Sequence, residues 1–205
     1  MTLEGKALSF RYQSGARQIL NAIDIRLESS ESVGLFAPSG FGKTTLCRIL
    51  AGYETPDEGA VLLEGKPLNS FKGYCPVQLI GQHPELAVNP RLRLKETLKE
   101  AGITDERFFK DLGIDRTWLN RFPGELSGGE LQRFCIARAL NEKTRFILAD
   151  EITTMLDLVT QAQIWQFLFA QVQTRGIGLM VVSHHKALMD RLCTRTIDLV
   201  MQSGA

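Results

Sequence analysis

Hydrophobic and polar residues alternate along the first part of the chain, in the pattern of half-buried β-strands. The stretches that alternate in this way are "ALSFRY" (7–12) and "NAIDIRL" (21–27). A short apolar run after them, "SVGLF" (32–36), leads into a glycine-rich loop. The loop is followed by "KTTLCRILAG", which predicts a helix that ends at Gly52. Two further strands are predicted in "GAVLLEGKPL" and "VQLIGQ".

Helical periodicity dominates the middle of the chain. Between residues 92 and 122, short amphipathic pieces punctuated by glycine predict an inserted group of helices. "LSGGELQRFCIARAL" (126–140) places its apolar residues on one helical face. Buried strands then alternate with a long helix, in "RFILAD", "LVTQAQIWQFLFAQVQ", "GLMVVSH" and "TIDLV". This alternation predicts a mostly parallel sheet that is covered by helices.

The composition limits the class of protein. The chain has 205 residues, of which 44% are hydrophobic, which suits one compact domain with a small inserted subdomain. Its net charge of +1 argues neither for nor against anionic partners, and without a long basic run we expect no nucleic-acid partner. No apolar run reaches the roughly 20 residues that cross a bilayer. We therefore expect a soluble chain that reaches a membrane only through a partner.

The cysteines give no sign of a metal site or a disulfide framework. They are far apart in the sequence and contain no C-x-x-C pair: Cys47, Cys75, Cys135 and Cys193. We interpret them as buried thiols in a reducing compartment.

The loop "APSGFGKTT" has the residues of a phosphate-binding loop except for its first glycine. Gly40 and Gly42 allow backbone N–H groups to approach phosphate oxygens at the start of a helix. Lys43 can reach the β- and γ-phosphates, and the Thr44 hydroxyl can bind Mg²⁺. Ala37 replaces the first glycine: a left-handed backbone there would cost roughly 1–2 kcal/mol, and we favour an extended one, which costs little. The alternative interpretation is a glycine turn with no ligand.

A second helix start lies far along the chain from the first. "LSGGELQR" places Ser127, Gly128 and Gly129 at the N-terminus of a predicted helix, where an anion is favoured. Because no phosphate-binding residues are near it in sequence, we expect it to close on the γ-phosphate of a nucleotide held by a second subunit. Taken alone, it is also explained by an ordinary helix cap at Ser127.

Five ordered motifs together resemble the ATP-binding cassette (ABC) ATPases, over roughly residues 8–200. "APSGFGKTT" resembles the Walker A loop, "LSGGELQR" the family signature, "FILADE" the Walker B strand, "TMLD" the D-loop and "VVSHH" the switch-histidine segment. The resemblance implies an α/β fold: a P-loop NTPase core with a mostly parallel sheet, an N-terminal antiparallel β-subdomain and an inserted helical subdomain. Within a single domain of residues 1–205, it assigns 1–82 and 134–205 to the core with the β-subdomain, and 83–133 to the helical subdomain.

The resemblance also implies roles for the matching residues. Asp150 would hold Mg²⁺ through water, and Glu151 would orient and deprotonate the attacking water. His184 would contact the γ-phosphate. Gln82 would contact Mg²⁺ or the attacking water and pass the nucleotide state to the helical subdomain. Further ATP contacts are implied for Ser39, Gly40, Gly42, Lys43, Thr44, Thr45, Ser127, Gly128 and Gly129.

Two more residues have roles by the same resemblance. Tyr12 would stack on adenine, the alternative being an ordinary tyrosine on a strand face. Asp157 would bridge the two subunits of a dimer.

The chain departs from the family pattern near the catalytic positions. The family usually has proline where Ile152 stands, alanine where Met155 stands and aspartate where His185 stands. These changes bear on the rate of hydrolysis more than on nucleotide binding. Phe41 is bulky where a small residue is common, and it either faces a partner subunit or packs within the chain.

The segments "GQHPELAVNPRL" (81–92) and "RFPGELSGGE" (121–130) resemble those of ATPases in oligopeptide, dipeptide and nickel importers. The resemblance implies ATP- and Mg²⁺-dependent import of a peptide, nickel or metal chelate. The expected partners are transmembrane permease subunits, a second cassette, identical or paralogous, and an extracytoplasmic substrate-binding protein, with the chain at the cytoplasmic face of the membrane. The alternative is a non-transport ABC ATPase, such as a component of a carbon–phosphorus lyase assembly or a DNA- or ribosome-associated member.

Overall fold

Two β-sheets of different kinds organise the protein. The computed structural model describes residues 1–13, 15, 17–103, 107–154, 156–183 and 186–202. The strands are β1 (Thr2–Phe10), β2 (Leu20–Glu28), β3 (Ser32–Phe36), β4 (Glu58–Leu63), β5 (Lys66–Pro67), β6 (Val77–Ile80), β7 (Phe146–Asp150), β8 (Gly178–Val182) and β9 (Arg195–Asp198). One sheet is parallel, in the order β6-β7-β8-β3-β9, and the other is antiparallel, in the order β2-β1-β4-β5.

The pattern of side chains explains the two kinds of sheet. Every residue of β7 and of β8 is buried, as is usual for parallel strands covered on both faces. In β2, by contrast, buried and exposed residues mostly alternate, so that strand has one covered and one exposed face. The predicted α/β class, with a parallel sheet and an N-terminal antiparallel sheet, is therefore confirmed.

The helices cover the parallel sheet and fill the middle of the chain. They are α1 (Lys43–Leu50), α2 (Leu94–Glu100), α3 (Arg107–Leu112), α4 (Gly128–Ala139), α5 (Leu158–Arg175), α6 (Lys186–Leu192) and α7 (Leu199–Gln202). In the predicted helical insert, "DRTWLNRF" forms a 3₁₀-helix over Arg116–Asn120. The division into subdomains stays a prediction, and its boundary at residue 133 lies inside α4. Within the described residues, no helix is both long and apolar enough to span a bilayer.

Alternate residues of β7 and β8 face two separate hydrophobic clusters. Ile147 and Leu179 belong to the cluster that includes apolar residues of α2, α4 and α5. Phe146 and Met180 belong to the cluster that includes α1 and the antiparallel sheet. The parallel sheet is thus the shared centre of both clusters, and it fixes the helical part and the β-sheet part of the chain relative to one another.

The carboxyl ends of the parallel strands lie at one edge of the sheet, where ligands bind in open α/β folds. β3 leads into the glycine loop and α1, and β6 ends just before Gln82. β7 ends at Asp150, and its last residue pairs with Val182 at the end of β8. The sheet therefore brings the glycine loop, Gln82, Asp150 and Glu151 to this edge.

Candidate active site

The glycine loop forms a tight turn between β3 and α1. Gly40 and Gly42 have φ values of 80° and 82°, in the left-handed region. A Cβ atom on Gly42 would also lie 2.8 Å from Cγ2 of Ile19, so a larger residue is excluded by space as well as by conformation. The first residue of α1 is Lys43, which places backbone N–H groups and the positive end of the helix dipole at the loop.

The side chain of Lys43 is held inside the loop. Lys43 is 6% exposed, and its Nζ donates hydrogen bonds to the carbonyl oxygens of Ala37 at 2.8 Å and Pro38 at 3.1 Å. A buried ammonium group with carbonyl partners and one remaining donor is suited to an anionic ligand. This arrangement supports the predicted role of Lys43 at the phosphates of a nucleotide.

Ala37 does not strain the loop. Its φ is not positive, and the residue is 1% exposed and packed in the cluster beside α1. Its carbonyl still accepts the bond from Lys43. The favoured interpretation, that alanine is accommodated without a left-handed backbone, is confirmed.

We expect Ala37→Gly to change the affinity for ATP–Mg²⁺ by less than tenfold, because the backbone at this position needs no glycine. Isothermal titration of both proteins measures the difference. Tighter binding by the glycine variant, by more than about 1.4 kcal/mol, would show that the alanine impairs the loop.

The glycine loop and several other predicted site residues line one open cleft of about 400 Å³, here called the phosphate cleft. Apart from Ile19, all of its lining residues are predicted site residues: Tyr12, Ser39, Gly40, Gly42, Lys43, Thr44, Thr45, Gln82 and Glu151. The Tyr12 hydroxyl lies 3.0 Å from Oγ1 of Thr45, and the Tyr12 ring packs edge-on against Phe10. Tyr12 is 57% exposed, so the residue is accessible to a ligand.

The residues predicted to bind Mg²⁺ lie together beside the phosphate cleft. Thr44, Gln82 and Asp150 all line an adjoining cleft of about 620 Å³, here called the Gln82 cleft. A hydroxyl, an amide and one carboxylate are oxygen donors of the kind that Mg²⁺ prefers when phosphates complete its coordination. These residues therefore fit the ion, and when bound it would neutralise charge on the β- and γ-phosphate oxygens.

Glu151 has an unusual backbone for a non-glycine residue. Its φ is 53°, and its N–H donates to the carbonyl of Val182 at 3.1 Å. A left-handed conformation costs roughly 1–2 kcal/mol, and such strain is concentrated at functional sites. Ile152, which replaces the family's proline, is 3% exposed and packs in the cluster beneath α5. Packing of the Ile152 side chain therefore restrains the chain at the position where the family usually has proline.

A hydroxyl that the sequence analysis did not single out connects Gln82 with Glu151. Gln82 donates from Nε2 to Oγ1 of Thr154 at 3.4 Å, and the same hydroxyl donates to the carbonyl of Glu151 at 3.0 Å. The two partners are 72 residues apart in sequence. Thr154 is the first residue of the "TMLD" motif, and its place in that motif is the signal that could have drawn attention to it.

The signature residues lie at the start of α4 and do not line the phosphate cleft described above. The Ser127 hydroxyl accepts a hydrogen bond from the N–H of Glu130 at 3.3 Å, and Glu130 accepts from the N–H of Ser127 at 2.7 Å. These bonds lower the pKa of the Glu130 carboxyl. Ser127 and Gly128 are exposed, and a Cβ on Gly129 would lie 2.8 Å from Cδ2 of Leu156. The cap interpretation is correct for Ser127, and it leaves the helix start open to a ligand.

Asp157 caps the longest helix of the protein. Its carboxylate accepts hydrogen bonds from the N–H groups of Thr160 and Val159, each at 3.0 Å, which lower its pKa. Asp157 is exposed, and next to it Leu158 and Val159 are 81% and 67% exposed. The predicted role of Asp157 between two subunits stays a prediction that this exposure supports.

Other residues that the sequence singled out do not line either cleft or are not described. His184, His185 and Met155 lie outside the described residues. Phe41 is 37% exposed, so its ring is available at the loop surface. The cysteines are free thiols in the structure: Cys47 and Cys135 are buried, and Cys75 and Cys193 are half-buried.

Comparisons with known proteins place the sequence in a family. The sequence model of the family described as "ABC transporter" matches residues 20–154. The chain is 34% identical to the nickel import ATP-binding protein NikE of Rhodospirillum rubrum, over 95% of this chain and 76% of that protein. It is 33% identical to the protein of the same name in Escherichia coli K12, over 91% of this chain and 75% of the relative.

Solved structures show the same fold. An ATP-binding subunit of an ABC transporter superposes with a TM-score of 0.81 at 25% identity, covering 97% of this chain and 85% of the other. The dimeric structure of a bacterial ABC transporter cassette gives a TM-score of 0.82 at 24% identity, covering 96% and 93%. The chain belongs to the ABC transporter family, and it is an ATP-binding cassette ATPase.

Proposed function

We propose that this chain is the ATP-hydrolysing motor of an importer for nickel, metal chelates or peptides. The observation that carries the proposal is the identity of 33–34% with nickel import ATP-binding proteins over at least 91% of the chain. In this role the chain lies at the cytoplasmic face of a membrane, bound to transmembrane permease subunits. An extracytoplasmic binding protein delivers the cargo to those subunits.

The proposed chemistry divides the site between binding and proton transfer. Lys43 and the N–H groups at the start of α1 bind the phosphates, and Tyr12 stacks on the base. Glu151 orients the attacking water and accepts its proton. The supporting observation is that the loop, Gln82 and Glu151 line one cleft, although they follow the ends of three different strands. His184 is assigned to the γ-phosphate by resemblance alone.

The proposed assembly contains two cassettes. Ser127 and Gly128 are exposed at the N-terminus of a 12-residue helix, where a phosphate is favoured. They do not line the phosphate cleft of their own chain, and a second cassette arranged head to tail can supply a nucleotide to them. Each of the two ATP molecules then lies between the loop of one subunit and the signature of the other.

The surface around the Gln82 cleft is the proposed docking site for a permease. Leu86 is 82% exposed and Tyr53 is 60% exposed, and both line this cleft together with Gln82. We expect a photo-crosslinking residue at position 86, 91 or 95 to label a transmembrane subunit in native membranes. The labelled product is identified by mass spectrometry.

Positions 11 and 17 provide the matched control, because Arg11 and Arg17 are also exposed but belong to the β1–β2 region. Labelling of permease from those positions alone, with none from 86–95, would place the docking surface elsewhere and contradict this part of the proposal.

The cargo is tested by uptake. Cells that lack the gene are complemented with the wild type or with Glu151→Gln, and accumulation of nickel and of labelled peptides is measured. We expect uptake of either nickel or peptide to be lost in cells that lack the gene and to be restored by the wild type but not by Glu151→Gln. If no uptake changes and the protein does not co-purify with membranes, a non-transport role replaces the proposal.

A further inference from the structure

We infer that three side chains of α4 are positioning residues for hydrolysis, because they hold the Gln82 segment and through it the backbone of Glu151. The inference rests on the proposed function, since it assigns Glu151 as the base. The three hydrogen bonds are here called the carbonyl ladder. They run from Gln132, Cys135 and Arg138 to the backbone carbonyls of Gly81, Pro84 and Ala87 respectively.

The ladder has matching spacing on its two sides. Its donors are three residues apart on α4, so they lie close to one face of that helix. Its acceptors are also three residues apart, in the segment 81–87 that contains Gln82 and the 3₁₀-turn Pro84–Leu86. Each bond joins positions that are 51 residues apart in sequence. A displacement of α4 along or across its axis would therefore strain all three bonds together.

Gln132 provides the evidence that the ladder is more than a surface contact. Gln132 is 3% exposed, and its Nε2 donates to the carbonyl of Gly81 at 3.2 Å. The carbonyl accepts only, so the amide orientation is fixed by this bond. Its Oε1 is then buried with no hydrogen-bond partner, which is a destabilising arrangement. A core position that needed packing alone would be better filled by methionine or leucine.

The other two donors keep their protons. Burial raises the pKa of the Cys135 thiol to about 12, so Sγ remains a donor to the Pro84 carbonyl, 3.6 Å away. The guanidinium of Arg138 has donors and no acceptor, and it donates from Nη1 to the Ala87 carbonyl. The ladder is therefore maintained across the physiological pH range.

The segment held by the ladder contacts the candidate base. Gln82 donates to Thr154, and Thr154 donates to the carbonyl of Glu151. β6, which ends at Ile80, is paired with β7, which ends beside Glu151. α4 begins at the cap Ser127, so the signature end of this helix and the base are joined by a path that runs through the backbone of α4, the Gln132–Gly81 bond, and the bonds of Gln82 and Thr154. Changes on that path should alter the rate of hydrolysis more than the affinity for ATP, because Lys43 and its loop are not part of it.

The first test measures whether α4 restrains the segment, without using activity. Gln132→Met keeps the size of the side chain, and Arg138→Met keeps the apolar stem. Arg175→Met is the matched control, since Arg175 is also half-buried and donates to backbone carbonyls, those of Leu140 and Asn141. In hydrogen exchange of the wild type and variants, we expect amides 81–87 to exchange at least about tenfold faster in the two ladder variants alone. Equal exchange in this segment for all the proteins would overturn the inference.

The second test separates positioning from general stability. We expect Gln132→Met to lower kcat about tenfold with the Kd for ATP changed less than twofold and the midpoint of thermal unfolding unchanged or higher. Thr154→Val removes the next hydroxyl on the path, so the double variant should be no slower than the slower single variant. Multiplicative losses, or a change in Kd equal to that in kcat, would contradict the inference. A wild type without ATPase activity would contradict the proposed function instead, and the exchange result would still decide whether the ladder restrains Gln82.

Discussion

Glu151→Gln is expected to reduce kcat for ATP hydrolysis by about 10²–10⁴-fold while leaving the affinity for ATP nearly unchanged. The amide keeps the shape of the side chain but cannot accept the proton of the attacking water. Glu151 lines the phosphate cleft at the end of β7, and its backbone is held by Val182 and Thr154, so the substitution leaves the loop around Lys43 intact. Phosphate release under single-turnover conditions, together with nucleotide titration, measures the two quantities separately.

Glu58→Gln is the matched control for this substitution. Glu58 is an exposed carboxylate at the start of β4 and does not line either cleft. Its variant should hydrolyse ATP at the wild-type rate. If Glu151→Gln is as active as this control, Glu151 is not the base, and the substitution of proline by Ile152 becomes the first cause to examine.

The parts of the site that are local in sequence were predictable from residue types. A glycine loop before a helix requires positive φ at particular positions. A lysine in the first turn of that helix lies close to any ligand that the loop binds. The structure agrees for Gly40, Gly42 and Lys43. The strands β7 and β8 were equally predictable, because runs of four or five apolar residues bounded by polar ones are typical of buried parallel strands.

The effect of the departures from the family pattern required the three-dimensional packing. The sequence alone leaves two backbone conformations open for Ala37; in the structure its φ is not positive, and its side chain packs beside α1. Whether Ile152 disturbs its neighbour depends on where the isoleucine side chain goes, and it enters the cluster of α4 and α5. In both cases the answer lies in contacts between elements that are far apart along the chain.

The bonds that connect the site to α4 were not predictable for the same reason. Gln132 and Arg138 sit on a helix whose apolar face is evident, but their carbonyl partners are set by how β6 and its following turn pack against that helix. Thr154 is similar, since only the pairing of β6 with β7 brings it to Gln82. A sequence pattern indicates which face of a helix a residue lies on. Its hydrogen-bond partner on the neighbouring segment depends on the register in which the two elements pack.

Lys43→Ala is expected to weaken ATP binding by roughly 10- to 100-fold, because it removes a charge-assisted hydrogen bond worth about 1.5–3 kcal/mol. The Ala37 and Pro38 carbonyls, which accept bonds from Nζ, would lose that donor as well. Titration with a non-hydrolysable ATP analogue measures the loss directly. Lys43→Arg is a useful companion, since it retains the charge but presents a planar group that the narrow loop is not shaped to hold.

The same substitution tests how the dimer forms. If each nucleotide joins Lys43 of one cassette to Ser127 and Gly129 of another, then ATP that is bound but not hydrolysed should hold two cassettes together. Glu151→Gln with ATP–Mg²⁺ is therefore expected to elute as a dimer in gel filtration, whereas the double variant with Lys43→Ala elutes as a monomer at the same ATP concentration. A Glu151→Gln protein that is monomeric alone but dimeric with a paralogous cassette would establish a heterodimer. A double variant that still dimerises with ATP would show that the contact does not depend on the phosphates, and the sandwiched arrangement would be wrong.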